Sequence, residues 1–294
     1  MKLGTGTIGA VVVVALLPGC VHHGSEESAT ERFRFDVSER PRVEVELDHG
    51  SIEILGIDDS TEVSVIVNKL ARAVNEEVAL SSLERLSVRA EQTAETIRVR
   101  VKREGGWRET HGSLRSDVEI RLPRSSDLKL TTHDGRIEIR DVRGEIEAES
   151  GDGQVRLNSV EGVVRARTAD GSIVGENVSG DFDGSTEDGR IELMGSFGRL
   201  RAVSSDGSIT VDCVEAVPLT GNWMLRSSDG SITFGVPAGF SAELEASTSD
   251  GRIETDLVLV DAKVTSNRVR GTLGGWGKLV LIKTSDGRVH LRSR

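Results

Sequence analysis

From residue 34 onward, most of the chain alternates apolar and polar residues with a period of two. Gly135-Arg136-Ile137-Glu138-Ile139 and Gly189-Arg190-Ile191-Glu192-Leu193 show the unit: glycine, polar, apolar, polar, apolar. This pattern predicts strands with one buried face. Glycines at 135, 144, 153, 162, 171, 180, 189, 198 and 207 are spaced nine apart, and Asp precedes every second one. The repeat is therefore 18 residues long, in two nine-residue halves of about five strand and four corner residues. A lone strand of this kind cannot bury its apolar face, so successive coils must stack. The predicted fold is all-β: a single-stranded β-solenoid with parallel pairing between coils at about 4.8 Å.

Ile137, Val155, Ile173, Ile191 and Ile209 are expected to form one interior stack, and Ile139, Leu157, Leu193 and Val211 another. The facing half carries Ala148, Ala166, Gly184 and Ala202, which predicts a narrow core with little room for rings. The corner glycines are expected to supply a positive φ. Asp-Gly recurs at 229–230, 250–251 and 286–287, in steps of 23, 21 and 36 residues. These steps read as two units with insertions and then two units of 18. The segment before residue 135 follows the plan less regularly. Asn75 followed by Glu76 and Glu77, with Val78, Leu83 and Leu86 as an apolar stripe, predicts one short helix near residues 75–87. Residues 104–117 read as a polar loop.

Composition adds limits. Aromatic residues are 3% of the chain and Tyr is absent, so the core must be aliphatic. A net charge of −11 leaves no basic footprint for nucleic acid. Residues 1–19 read as an export signal: Met1-Lys2, then an apolar run from Ile8 to Leu17 that is too short to span a bilayer. The run ends in Leu17-Pro18-Gly19-Cys20, which resembles a bacterial lipobox, although Pro18 departs from its pattern. The expectation is a lipidated Cys20, a flexible tether over 20–33 and a solenoid domain over 34–294. No Asp follows Cys20, which points to the outer membrane if the cell has two. Cys213 is the only other cysteine, so an internal disulfide framework is excluded. Cys213 is expected to be half-buried and structural.

Val118-Glu119-Ile120-Arg121-Leu122-Pro123, then Leu128-Lys129-Leu130, then repeated Ser/Thr-x-Asp-Gly-x-Ile resembles the bacterial putative-adhesin family of β-strand-repeat proteins, otherwise a domain of unknown function. Phe234-Gly235-Val236-Pro237-Ala238-Gly239-Phe240 and the short helix between early strands fit the same resemblance, which covers residues 34–294. It implies a right-handed β-helix, secreted or lipid-anchored, and carries no catalytic residues.

Candidate chemistry is sparse. Asp134, Asp152, Asp170, Asp188, Asp206, Asp229, Asp250 and Asp286 would stack one coil apart and repel by about 1 kcal/mol per neighbour in water. Turn N–H groups and Arg136, Arg190, Arg252 and Arg288 could offset this. Calcium bridging is the alternative. Ser or Thr two places before each Asp is expected to cap a corner. His133 with Asp134 is a weak dyad, His290 lies alone, and no separated carboxylate pair suits glycoside cleavage. Trp107, Trp223 and Trp276 fall in loops or insertions and could stack on sugars. The chain ends inside a strand signature, so the last coil would leave an open edge. Arg292 and Arg294 would then act as charged gatekeepers, or the edge would pair with a second copy. The reading is a lipid-anchored envelope protein of adhesin-like type, with no catalytic activity and no cofactor or metal. Its partners would be a glycan, an envelope protein or a second copy end to end. The alternatives are an enzyme or binding module acting on polysaccharide and a calcium-stabilised spacer.

Overall fold

The computed structural model describes residues 11–13, 24–38, 40–104, 112–275 and 277–294. Among the described residues the chain is all-β, 66% strand with one helix. It divides into two compact units, Met1–Val142 and Arg143–Arg294.

Unit 1 contains β1 (Val11–Val13), β2 (Ser25–Asp36), β3 (Arg42–His49), β4 (Ile52–Ile57), β5 (Glu62–Ala73), α1 (Glu76–Leu83), β6 (Leu86–Thr93), β7 (Thr96–Arg103), β8 (Gly112–Pro123), β9 (Asp127–Asp134) and β10 (Ile137–Arg140). The alternating residues form parallel stacks, as expected. Ile52 lies beside Val118 on one side and Ile137 on the other. Val43 likewise lies between Ile97 and Leu128. The coil that comes first in sequence is thus the middle one in space. Antiparallel strands make this possible: β5 pairs with β2 and with β8, and β6 pairs with β7. β1 pairs antiparallel with β2. Each aliphatic side chain buried in these stacks contributes about 1.5–3 kcal/mol.

The predicted helix forms where its cap is. The Asn75 side chain accepts the Val78 N–H at 2.9 Å. The helix ends at Leu83, earlier than its apolar stripe suggested, because Leu86 already belongs to β6. Ala79, Ser82 and Leu83 are its buried residues, and it packs against β2 and β5.

Unit 2 contains β11 (Arg143–Ser150), β12 (Val155–Thr168), β13 (Ile173–Thr186), β14 (Ile191–Ser204), β15 (Ile209–Cys213), β16 (Trp223–Arg226), β17 (Ile232–Val236), β18 (Ala242–Ser247), β19 (Ile253–Thr255), β20 (Val260–Val264), β21 (Arg268–Leu273), β22 (Leu279–Lys283) and β23 (Val289–Ser293). The 18-residue register holds over its first coils. Val155 lies beside Ile173, Ile173 beside Ile191, and Ile191 beside Ile209. Ala148, Ala166, Gly184 and Ala202 form the facing stack.

Three expectations for this unit are corrected. First, the core is not too narrow for rings. Phe182, Phe197, Trp223, Phe234 and Phe240 form a buried chain of edge-to-face contacts with centroids 5.6–6.2 Å apart. Small residues make the room: a Cβ on Gly184 would sit 2.6 Å from the Phe182 ring. Second, the 36-residue step before the last Asp-Gly is not two coils. It holds the antiparallel strands β20 and β21, with β21 also antiparallel to β18. Third, the C-terminal strand is not an open edge. β23 lies between β17 and β19, and β22 between β16 and β18. Arg292 is a clasp rather than a gatekeeper: Nη2 lies 2.8 Å from both carboxylate oxygens of Asp212 on β15. The bridge passes over Gly235 of β17, where a Cβ would sit 2.2 Å from Asp212 Oδ1.

Candidate functional site

The Asp-Gly corners of unit 2 follow one hydrogen-bond scheme, and hydroxyls carry it. Thr186 Oγ1 shares its proton between the carbonyls of Ala169 (2.9 Å) and Gly171 (3.0 Å) in the preceding coil, and accepts the N–H of Gly189 in its own turn at 3.1 Å. Thr168, Ser204, Ser227, Thr284 and Thr248 repeat the arrangement. The expected capping role of Ser and Thr is present. The expected role of the turn N–H groups towards the carboxylates is not, because the backbone N–H groups of Asp170, Asp188 and Asp206 donate to carbonyls of the neighbouring coil. The Asp carboxylates of these corners are exposed. Arg190 and Arg288 pair with Glu192 and Glu254 instead. Water, with its high dielectric, keeps the column's repulsion small. Among the described residues, no three His, Cys, Asp or Glu side chains come together to hold a metal ion.

The corner glycines also have a different reason from the expected one. Positive φ occurs at Gly50, Gly162 and Gly180, but not at the Asp-Gly positions. There the constraint is close approach: a Cβ on Gly189 would sit 1.8 Å from the carbonyl oxygen of Gly171.

Unit 1 breaks this scheme at one corner, and a cleft of about 460 Å³ opens there. It is lined by His49, Ser51, Glu53, Arg115, Asp134 and Arg136, together with Gly50 and Gly135. Stacking brings these residues together from three coils. Arg115, His49 and Asp134 hold one corner position, and Asp117, Ser51 and Arg136 hold the position two residues later. Leu47 stands beside Thr132, so this coil has no capping hydroxyl. The remaining hydroxyl contacts are long: Thr132 Oγ1 to Gly50 O and Ser116 Oγ to His49 O are both 3.4 Å.

The cleft's polar groups are ordered. His49 Nδ1 lies 2.6 Å from Asp134 Oδ2, which fixes the ring. Both Ser51 N–H (2.8 Å) and Ser51 Oγ (2.6 Å) donate to Asp117 Oδ1, and Arg115 adds a bond at 2.9 Å. Burial would raise the Asp117 carboxyl, but the bonds from Ser51 and Arg115 outweigh it and hold the group below the usual carboxylate range. Asp134 pairs with His49, 85 residues earlier, rather than with the adjacent His133. The signal was there: His49-Gly50 occupies the place of an Asp-Gly pair in a strand-turn unit.

Other candidates resolve differently. Trp223 is 1% exposed in β16, and its Nε1 donates to Gly198 O at 3.2 Å, so it is a core residue and not a sugar platform. Cys213 is fully buried rather than half-buried, and burial first, then Asp212, pushes its thiol up to about 12. Cys20, Trp107 and Trp276 lie outside the described residues. The two insertions of unit 2 meet in a second cleft of about 380 Å³, lined by residues 216–219 with Gly239, Ser241, Gly277 and Lys278. Among the described residues, no helix is long and apolar enough to cross a membrane.

Residues 45–292 match the family described as Toastrack DUF4097. Solved structures of similar fold include a putative lipid binding protein from Parabacteroides distasonis (14% identity, 89% of this chain and 96% of that chain, TM-score 0.46). A putative adhesin from Parabacteroides merdae (10%, 89% and 95%, 0.43) and one from Bacteroides fragilis (10%, 90% and 97%, 0.36) are also similar. No curated protein matches.

Proposed function

Because the chain belongs to the Toastrack DUF4097 family, we propose that it is a non-catalytic, adhesin-like binding protein of the cell envelope, wound as a right-handed solenoid and anchored through a lipidated Cys20. In a cell with two membranes the anchor lies in the outer one. The observation that carries the binding reading is the His49 cleft. Its size is that of a small-ligand site, and its charged groups converge from three coils. It is not arranged for acyl transfer, since the hydroxyl proton of Ser51 is committed to Asp117 rather than to the oriented imidazole. Polar side chains that converge without a nucleophile suit recognition of a hydroxylated, charged ligand such as an envelope or extracellular glycan.

A glycan array probed with the full chain and with His49→Ala tests the cleft. Binding that the substitution removes supports the reading; an array without hits, or hits indifferent to His49, sinks it. Cell fractionation tests the anchor. Cys20→Ala should move the protein from the membrane fraction to the soluble one, and an unchanged distribution would refute lipidation.

A further inference from the structure

The described residues expose nine large hydrophobic side chains, and five of them sit on two caps. The unit 2 cap is residues 256–270, with Val258 (87% exposed), Val260 and Val264. The unit 1 cap is residues 74–95, with Val74 (65%) and Leu80. Each cap ends in a strand paired on one side only among the described residues: β20 with β21, and β6 with β7.

The caps carry opposite charge. Residues 74–95 hold Glu76, Glu77, Glu84, Glu91 and Glu95 against Arg85 and Arg89. The strand hairpin of the other cap holds Lys263, Arg268 and Arg270, with Asp256 and Asp261 beside them. All five glutamates and the three cations are exposed. Lys263 stands directly across from Arg270, so two like charges face each other on this side of β21, with Glu245 of β18 across from Arg270 on the other. Asp256 is occupied, since it accepts the Ser293 N–H at 2.7 Å. A cationic cap on a chain of net charge −11 is out of keeping with the rest of the molecule.

We infer that the two caps are a complementary pair, and that the unit 2 cap of one copy docks on the unit 1 cap of another. Val258, Val260 and Val264 meet Val74 and Leu80, while Lys263, Arg268 and Arg270 face the glutamates on and around α1. The contact runs through side chains rather than a continued strand ladder, because a bulge at Asp261 (φ 51°) interrupts β20. The two surfaces differ, so each contact is heterologous and each copy offers one cap of each kind. Salt weakens it.

Sedimentation velocity of the full chain carrying Cys20→Ser, which removes acyl-driven association, tests this. The average mass should climb steadily with concentration at low salt and fall at high salt. Reversing the unit 2 cap (Lys263→Glu, Arg268→Glu, Arg270→Glu) should weaken association roughly tenfold or more. Reversing the unit 1 cap (Glu76→Lys, Glu77→Lys, Glu91→Lys) should do the same. Mixing the two variants should restore it, because each then offers the charge the other lacks; this outcome also shows that both are folded. A wild-type chain that stays monomeric, or a mixture no larger than its parts, would overturn the proposal.

Discussion

The regular corners of unit 2 and the single irregular corner of unit 1 are built on the same backbone but differ in what closes them. In unit 2 a buried hydroxyl ties two carbonyls of one coil to a glycine N–H of the next, at 2.9–3.1 Å for Thr186. The corner N–H groups of Glu187, Asp188 and Gly189 all have partners, and the Asp188 side chain is exposed to water. In unit 1, Leu47 replaces the hydroxyl and His49 replaces the Asp, and the surviving contacts lengthen to 3.4 Å. Charged side chains then do locally what the hydroxyl column does elsewhere, and a cleft opens among them. A repeat protein can therefore open a cleft by losing one member of its own repeat, because neighbouring coils hold the substituted residues in register.

The two kinds of corner should respond differently to substitution. The largest effect is expected from Gly189→Ala. Its Cβ would press on backbone rather than on a side chain that can move, so stability should fall by about 3–5 kcal/mol. A denaturation midpoint near wild type would show that the corner is looser than its geometry. Arg292→Ala should come next, at about 2–3 kcal/mol, since it strands a half-buried Asp212 and loosens the last strand; equal chevron unfolding limbs for variant and wild type would contradict the clasp. Thr186→Val should cost about 1–3 kcal/mol by leaving two carbonyls and an N–H short of a partner, whereas Thr132→Val in unit 1 should cost under about 1 kcal/mol. Equal losses at the two sites would erase the distinction drawn here. The smallest effect on stability belongs to His49→Ala. Its contact with Asp134 is solvent-exposed, so the change should stay within about 0.5 kcal/mol while glycan binding is lost.

Much of the fold could be read from the chain. The strand alternation, the 18-residue period, the Asn75 cap and the hydroxyl column are local or strictly periodic features. The site was less legible. Asp134 and Arg136 carried the repeat signature, but Asp134's partner, His49, lies 85 residues away in sequence. The aromatic cluster was misread for a related reason. Ala148, Ala166 and Gly184 look like a thin wall in one dimension, and only in three dimensions does Gly184 turn out to leave space for the Phe182 ring.

By itself the sequence determined which residues face inward and where each coil turns, because side-chain alternation and corner chemistry act over a few residues. The tertiary structure alone decided the order of the coils: Val118 beside Ile52 beside Ile137 in unit 1, and Ile232 beside Val289 beside Ile253 in unit 2. Each parallel strand offers nearly the same backbone edge and the same apolar face to any neighbour. What selects among those neighbours is the fit of whole coils, through particular contacts such as Arg292 across Gly235 to Asp212.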